Sequence, residues 1–422
     1  MGGSQVTYSR YIGLDLHKQF IQATTLDSDG RTLKQWRFPT TPEAIREFAE
    51  TLTKEDAVGL ESTTNAVPVA LLLRERAGLV VISNPMKTKA IAEAKVKTDK
   101  VDSLVLAELL KADYLPAVWL PDDDTLALRE LTSYRTGLVQ ERTQVKNRIH
   151  SILHRNLIPR PDVKDLFGKT GRAYLAGLSL RPGEQFQLDE ALSHLDFLEA
   201  RIARADEEIA KQAVRPEWAE AMRLLLSLPG VSLQVGAGIL AAIGDVTRFA
   251  EPKKLVSYFG LDPLAKSSAD EVFGSRRISK KGRSHARWLL IEGATAAVRV
   301  PGPLQAFYLR LRAKKCHNKA IVAAARKMTH FLWHMLKTGE PYRYAAPQQT
   351  QAKIRRVEIL AGSPRRKGGA GKGVDVRTLT TSRRKQRKNE WDLARIAQAQ
   401  YEELVRLRSA TDRQPVAERS SA

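Results

Sequence analysis

The chain has 422 residues, 43% hydrophobic, with 69 Lys and Arg against 47 Asp and Glu, a formal net charge of +22 at pH 7. That length predicts two or three domains, and that charge favours a polyanionic partner, most often nucleic acid, over a soluble role without one. A single cysteine, Cys316, excludes an intrachain disulfide framework or a cysteine-rich zinc site, and no apolar run approaches the ~18 residues of a membrane span. The N-terminal residues lack a signal-peptide pattern. A reducing, cytoplasmic setting is expected.

Residues 9–38 read as three short strands: Tyr11 to Leu16, Phe20 to Leu26 and Thr32 to Phe38. The turn signal Asp27-Ser-Asp-Gly30 separates the last two. Thr41 and Pro42 open a helix to Leu52, since Thr caps well and Pro suits a first turn. Ala57 to Glu61 is a fourth strand, Ala66 to Ala77 a helix ended by Gly78, and Leu79 to Ser83 a fifth strand. The order β-β-β-α-β-α-β-α predicts an α/β layer domain over 9–115.

Residues 120–215 carry apolar positions at helical spacing among many charges. Leu128, Leu138, Val145 and Ile149 mark one long helix; Leu188, Leu195, Ile202 and Ile209 mark another. An antiparallel coiled-coil arm or a pair of ordinary core helices fits equally. Residues 218–345 read as a mainly helical domain. In it Leu228-Pro229-Gly230-Val231 with Gly236 and Gly238 forms either a phosphate-facing helix–hairpin–helix element or a plain packing turn. Residues 351–422 hold 18 Lys or Arg against 8 acids, so the segment 346–422 is expected to be a basic, largely disordered tail, with a helix near Trp391 to Leu407.

Four carboxylates carry the chemistry. Asp15 lies in the apolar run Tyr11-Ile-Gly-Leu-Asp15, and Glu61 ends Ala57-Val-Gly-Leu-Glu61. Asp99 and Asp102 are three apart and share one helix face. Isolated acids on apolar strands are costly to bury without a partner, and a divalent cation in a basic protein is a fitting one. Hard oxygen donors suit Mg²⁺, which can activate a nucleophile and stabilise a leaving oxygen on a phosphodiester. Asp99 taken alone also reads as a helix cap, and His17 and Lys18 read as surface residues or supports behind the acids.

The order Ile-Gly-Leu-Asp15, Leu-Glu61-Ser-Thr, Asn84-Pro85 and Lys97-Thr-Asp99-Lys-Val-Asp102-Ser resembles the DEDD transposases of one insertion-sequence group, the "one-ten" family. The resemblance implies a ribonuclease H-like (RuvC-like) domain in which Asp15, Glu61, Asp99 and Asp102 bind Mg²⁺. Further on, Gly260-Leu-Asp-Pro263, Ser267-Ser268 and Ile278-Ser-Lys-Lys-Gly282 resemble the serine-bearing second domain of that family. There a serine attacks DNA and forms a covalent serine–DNA bond. Spacing places that role on Ser268, with Ser267 as the alternative, because Ala269 stands where family members often have Gly. The resemblance also implies a structured bridge RNA and a homo-oligomer, dimer or tetramer, acting on DNA.

Arg276, Arg277, Lys280, Lys281, Arg283, Lys314 and Lys315 read as phosphate contacts; beside the serines, a phosphate-contacting turn is the competing reading. A resolvase-like metal nuclease without a covalent intermediate is the first rival and needs only the acids. A kinase of the same broad fold and a non-catalytic nucleic-acid scaffold are the others.

Overall fold

The computed structural model describes residues 7–91, 98–268, 271–365 and 376–411. The chain divides into two compact units, Met1–Pro121 and Asp122–Ala422.

The first unit holds a six-stranded mixed sheet in the order β3-β2-β1-β4-β5-β6: β1 Arg10–Leu16, β2 Phe20–Asp27, β3 Thr32–Pro39, β4 Asp56–Glu61, β5 Leu79–Ser83 and β6 Ala117–Val118. β1, β2 and β3 form an antiparallel meander, and β4 and β5 run parallel to β1. The helices are α1 Pro42–Glu50, α2 Ala66–Leu73, α3 Pro85–Ile91 and α4 Asp99–Lys111. The five expected strands are present; the two-residue β6 is too short to leave a pattern.

Alternation along β1 sorts its residues between two cores. Ile12, Leu14 and Leu16 pack with Ile45 and Phe48 of α1 and Val69 and Leu73 of α2. Tyr11 packs instead with Leu106, Ala107 and Leu110 of α4. Gly13 shares that second face, and a Cβ there would lie 1.9 Å from the Ser103 carbonyl oxygen. Gly59, its register partner on β4, also faces α4: a Cβ there would lie 3.6 Å from the Leu106 carbonyl oxygen and 2.8 Å from the side chain of Leu115, just past the helix. The helix therefore rests backbone to backbone on Gly13, with Gly59 leaving room beside it. Thr24 and Ser103 hydroxyls, 2.7 Å apart and buried, fix the helix along its length.

At the far end of β4, Arg10 grips Asp56 through Nε at 2.7 Å and Nη2 at 2.6 Å, and Thr53 donates its N–H at 2.6 Å. Burial would push the Asp56 carboxyl up, but the Arg10 and Thr53 donors outweigh it and hold it below its ordinary 3.8.

In the second unit α5 Asp123–Arg155, α6 Lys169–Ala176 and α7 Pro182–Ala213 form the arm. Arg155 meets Glu184, Arg135 meets Asp206 and Asp124 meets Arg215, so α5 and α7 run antiparallel. Their seam holds Leu138, Ile149, Ile152, Leu188, Leu195 and Leu198. Then follow α8 Pro216–Ser227, α9 Leu233–Ile243, a 3-10 turn Val246–Arg248, α10 Pro252–Tyr258, the hairpin β7 Pro263–Ser268 with β8 Glu271–Ile278, α11 Ser284–Ala297, α12 Pro303–Arg312 and α13 His317–Thr338. Every residue of α9 but Gln234 is buried. Gly230 (φ +81°) sits against α11, where a Cβ would lie 2.0 Å from the Gly293 carbonyl. Close packing against α11 thus accounts for the glycine at position 230.

The expectation of a largely disordered tail from Ala346 is corrected. Pro347–Leu360 is a helix, α14, and Val376–Thr411 another, α15. Val357 of α14 enters the main core with Ile354 and Leu360 against it. Lys353 is half-buried, with its ammonium donating to the Leu226 and Leu228 carbonyls at 2.9 and 3.0 Å. Burial pulls that amine down to about 8, while the carbonyl end of α8 favours a cation there. The basic run 366–375 and residues 412–422 lie outside the described residues.

Two outcomes test this packing. Gly13→Ala should destabilise the first unit by about 1–3 kcal/mol in denaturant unfolding, because the new methyl meets backbone that has little room to shift. Asp56→Asn should cost about 2 kcal/mol at pH 7. Since the folded Asp56 pKa lies below 3.8, its contribution is whole above that pH and fades as pH falls through the depressed value, so mutant and wild type should converge only below pH 3.8.

Candidate active site

The seat of α4 decides where the acids fall. Asp15 follows Gly13 by two on β1 and so faces α4; Glu61 follows Gly59 by two on β4 and shares that face. Leu14 pairs with Leu60, which sets Asp15 and Glu61 side by side at the C-terminal ends of the two central strands. Asp99 opens α4 and Asp102 follows one turn later. Thr98 is the N-cap, its hydroxyl accepting from the Val101 N–H at 3.3 Å. The capping reading of Asp99 is therefore corrected, and its carboxylate is left for other work. The positive end of α4 also eases the crowding of negative charge.

His17 joins the acids. Its Nε2 lies 2.9 Å from Asp15 Oδ2 and 3.3 Å from Asp99 Oδ1. The ring is held by a tight turn, with His17 N–H donating to the Phe20 carbonyl at 2.9 Å and the ring tilted over Phe20 at 4.6 Å. Thr40 donates its hydroxyl to the His17 carbonyl at 2.9 Å. Asp15 is well covered, with 15% of its side chain exposed. Burial pushes its carboxyl up; the His17 interaction opposes that, and the charges of Asp102 and Asp99 add to the rise.

Asp15, His17 and Asp99 each offer a donor atom, all within 4.8 Å of one another. Two carboxylates with an imidazole fit a divalent cation that takes oxygen donors and tolerates nitrogen; Asp102 and Glu61 are not among the three donors so gathered. His17, read from the sequence as a surface residue or a support behind the acids, stands among the donor atoms themselves. Its place two residues beyond Asp15 was the available signal, masked by the end of the strand between them.

In the second unit, Ser267 and Ser268 close β7, with Ser267 registered on Val272 and Ser268 on Glu271. Residues 269 and 270, and the side chains of 265–268 and 271–276, including Arg276, lie outside the described residues. A hairpin was not foreseen in a stretch read as helical or as turns.

The base of the hairpin is firmly built. Ser279 donates its N–H to the Asp262 carbonyl at 2.8 Å and its hydroxyl to Asp262 Oδ1 at 2.5 Å. Lys280 N–H reaches the Gly260 carbonyl, and Arg283 N–H the Tyr258 carbonyl. Gly260 (φ +66°) and Gly282 (φ +147°) are in backbone regions that other residues rarely adopt, and a Cβ on Gly282 would meet the Tyr258 carbonyl at 2.3 Å. Lys280, Lys281, Arg277 and Arg283 are exposed around this frame, as are Lys314 and Lys315 after α12.

Behind the frame, Arg129, Arg248 and Tyr258 all donate to carbonyls that end α9: Arg129 Nε to Ala241 at 2.6 Å, Arg248 Nε to Ile243 at 2.9 Å and Tyr258 hydroxyl to Ala242 at 3.2 Å. Arg283 Nε donates to the Tyr258 hydroxyl at 3.0 Å. Burial and the neighbouring guanidiniums pull Arg129 down to about 10. Burial would raise the Tyr258 phenol, but Arg283 and Arg248 prevail and hold it below its ordinary value.

Two family profiles match the chain, a DEDD transposase of the IS110 type over residues 12–157 and a transposase of the IS116/IS110/IS902 family over residues 222–309. Both describe enzymes that recombine DNA, and the chain belongs to this IS110 family of transposases. Among its relatives is the insertion element IS116 uncharacterized 44.8 kDa protein of Streptomyces clavuligerus, 24% identical over 80% of this chain and 97% of that protein. A putative transposase, y4qE, of Sinorhizobium fredii is 33% identical over 47% of this chain and 48% of its own length. The pilin gene-inverting protein of Moraxella bovis is 25% identical over 62% of this chain and 74% of its own. Among the described residues no helix is long and apolar enough to cross a membrane.

Asp15→Asn should abolish saturable Mg²⁺ or Mn²⁺ binding in calorimetry, and His17→Ala should weaken it roughly 10- to 100-fold. An unchanged titration in Asp15→Asn would remove the cation from this site.

Proposed function

We propose that this transposase cuts and rejoins DNA through a covalent serine–DNA intermediate, with Ser268 as nucleophile and Ser267 as the alternative. Its acids Asp15, Glu61, Asp99 and Asp102 would hold Mg²⁺. The observation that carries the metal half is the gathering of Asp15 and Asp99 about His17, on a sheet ordered β3-β2-β1-β4-β5 as in ribonuclease H-like (RuvC-like) domains. Bound there, the cation supplies positive charge for a phosphodiester and its departing oxygen.

The serine half rests on the family resemblance and on the rigid, cationic base beneath the hairpin. In the cutting step the serine Oγ bonds to phosphorus as its proton leaves. The bond from phosphorus to one deoxyribose oxygen breaks, and that oxygen takes up a proton. Rejoining reverses this with a new deoxyribose hydroxyl, which releases the serine. Serine needs activation for such attack. Arg276, Arg277, Lys280, Lys281, Arg283, Lys314 and Lys315 hold backbone phosphates in this reading. A structured bridge RNA and a homo-oligomer belong to the same proposal, as do domain limits at 9–115, 120–215, 218–345 and 346–422. The net charge of +22 supports an RNA partner in addition to DNA.

The rival metal nuclease draws support from the acid cluster alone, which is complete within the first unit. Denaturing gels of protein mixed with Mg²⁺, co-expressed RNA and labelled junction DNA separate the two. A protein–DNA adduct should form, vanish in Ser268→Ala and persist in Ser267→Ala. Cleavage without any adduct, abolished by Asp102→Ala alone, would leave the nuclease.

A further inference from the structure

Helix α15 has two apolar faces, and among the described residues only one of them is covered. On the inner side Ala397 is 7% exposed, and Gln398 Oε1 accepts the Gly302 N–H at 3.1 Å, where α12 begins. Tyr401 and Val405 continue that side and are half-buried. On the outer side Leu393, Ile396, Leu404 and Leu407 are 66%, 54%, 47% and 58% exposed. At ~100° per residue these four fall within an arc of about 80°, a stripe rather than a scatter. Single exposed leucines need no explanation; an aligned set marks a contact surface.

The pattern is symmetric. Ile396 and Leu404 stand four residues either side of Gln400, and Leu393 and Leu407 seven either side. Such a palindrome is complementary to itself when the second helix runs the other way. We propose that a second copy of this chain covers the stripe, its α15 antiparallel about a dyad at Gln400. Leu393 then lies on the partner's Leu407, Ile396 on the partner's Leu404, and the two Gln400 amides meet at the axis.

Charge fits the same register. One flank of the stripe carries Asp392 and Glu403 with Arg395 and Arg406, paired along their own helix as Asp392–Arg395 and Glu403–Arg406. Across an antiparallel dyad like flanks face each other. Asp392 comes within two residues of the level of the partner's Arg406, and Glu403 within two of the partner's Arg395. A parallel pair would set Gln400 on Gln400 as well, but opposite flanks would then face each other, and neither Asp392 nor Glu403 would meet an arginine of this flank.

An isologous contact of this kind closes on itself and makes a dimer, not a filament. Four side chains per copy bury less than the ~1,000 Å² of a stable complex, so the pairing is weak alone and suited to an assembly that forms on another scaffold. This gives the proposed homo-oligomer a surface and stands apart from the serine chemistry.

Cysteine cross-linking of the full chain tests it, in a Cys316→Ser background and with the trapping assay run alongside. Under mild oxidation Gln400→Cys should form a covalent dimer. Leu393→Cys alone should not, because antiparallel copies hold the two sulfurs about 21 Å apart along the axis. Mixed Leu393→Cys and Leu407→Cys proteins should cross-link, and adding Ile396→Glu with Leu404→Glu to Gln400→Cys should abolish its dimer. A covalent dimer of Leu393→Cys alone, or no dimer of Gln400→Cys, overturns the proposal. Either result leaves the serine adduct to be judged separately.

Discussion

One contact governs the first unit of this protein, the approach of α4 to the bare backbone of β1 and β4. Gly13 and Gly59 stand level on adjacent parallel strands, and no side chain other than hydrogen fits at Gly13 beneath the Ser103 carbonyl. The closeness has an electrostatic consequence. It brings the first turn of α4, with Asp99 and Asp102, down onto the strand ends that carry Asp15 and Glu61. A larger residue at Gly13 would lift the helix and disperse the acids. Packing and chemistry are therefore one constraint: the glycines exist for the helix, and the helix delivers half of the carboxylates.

The second unit solves a different problem, holding a short hairpin of modest strand propensity in one place. Its anchorage is polar. The backbone of 258–262 and 279–283 is laced together around two glycines in unusual conformations, and Arg283 ties this lacing through Tyr258 to the carbonyl end of α9. Arg129 and Arg248 crowd the same carbonyls. Such concentrated positive charge needs the negative end of a helix, and α9 is buried enough to make that end stay put. In the proposed reading, the cations left exposed around this frame meet a phosphate backbone from a firmly anchored stretch of chain.

Much of this was legible in the sequence, and the gaps have physical causes. The five long strands announced themselves through alternation and turn residues, and Asp15, Glu61, Asp99 and Asp102 stood out as acids in apolar settings. His17 did not, since one histidine past a strand end gives no period; only the Phe20 turn swings it back onto Asp15. The hairpin 263–278 was missed because its Ala, Ser, Lys and Arg are weak strand formers, and tertiary anchorage decides the matter. The tail misled through charge. Lys353, Arg355 and Arg356 hid the Ile354, Val357 and Leu360 stripe, although a lysine stem can run through apolar surroundings to reach carbonyls. In α15 the inner face is alanine-rich, a pattern too faint to distinguish a docked helix from a solvated one.

The claim that matters most is that α4, seated on its glycines, builds a cation site from Asp15, His17 and Asp99. Anomalous diffraction from crystals grown with Mn²⁺ addresses it directly. The account predicts a strong peak among Asp15 Oδ2, His17 Nε2 and Asp99 Oδ1. A well-diffracting crystal with these side chains ordered and no peak between them, or with manganese bound only elsewhere, would contradict it.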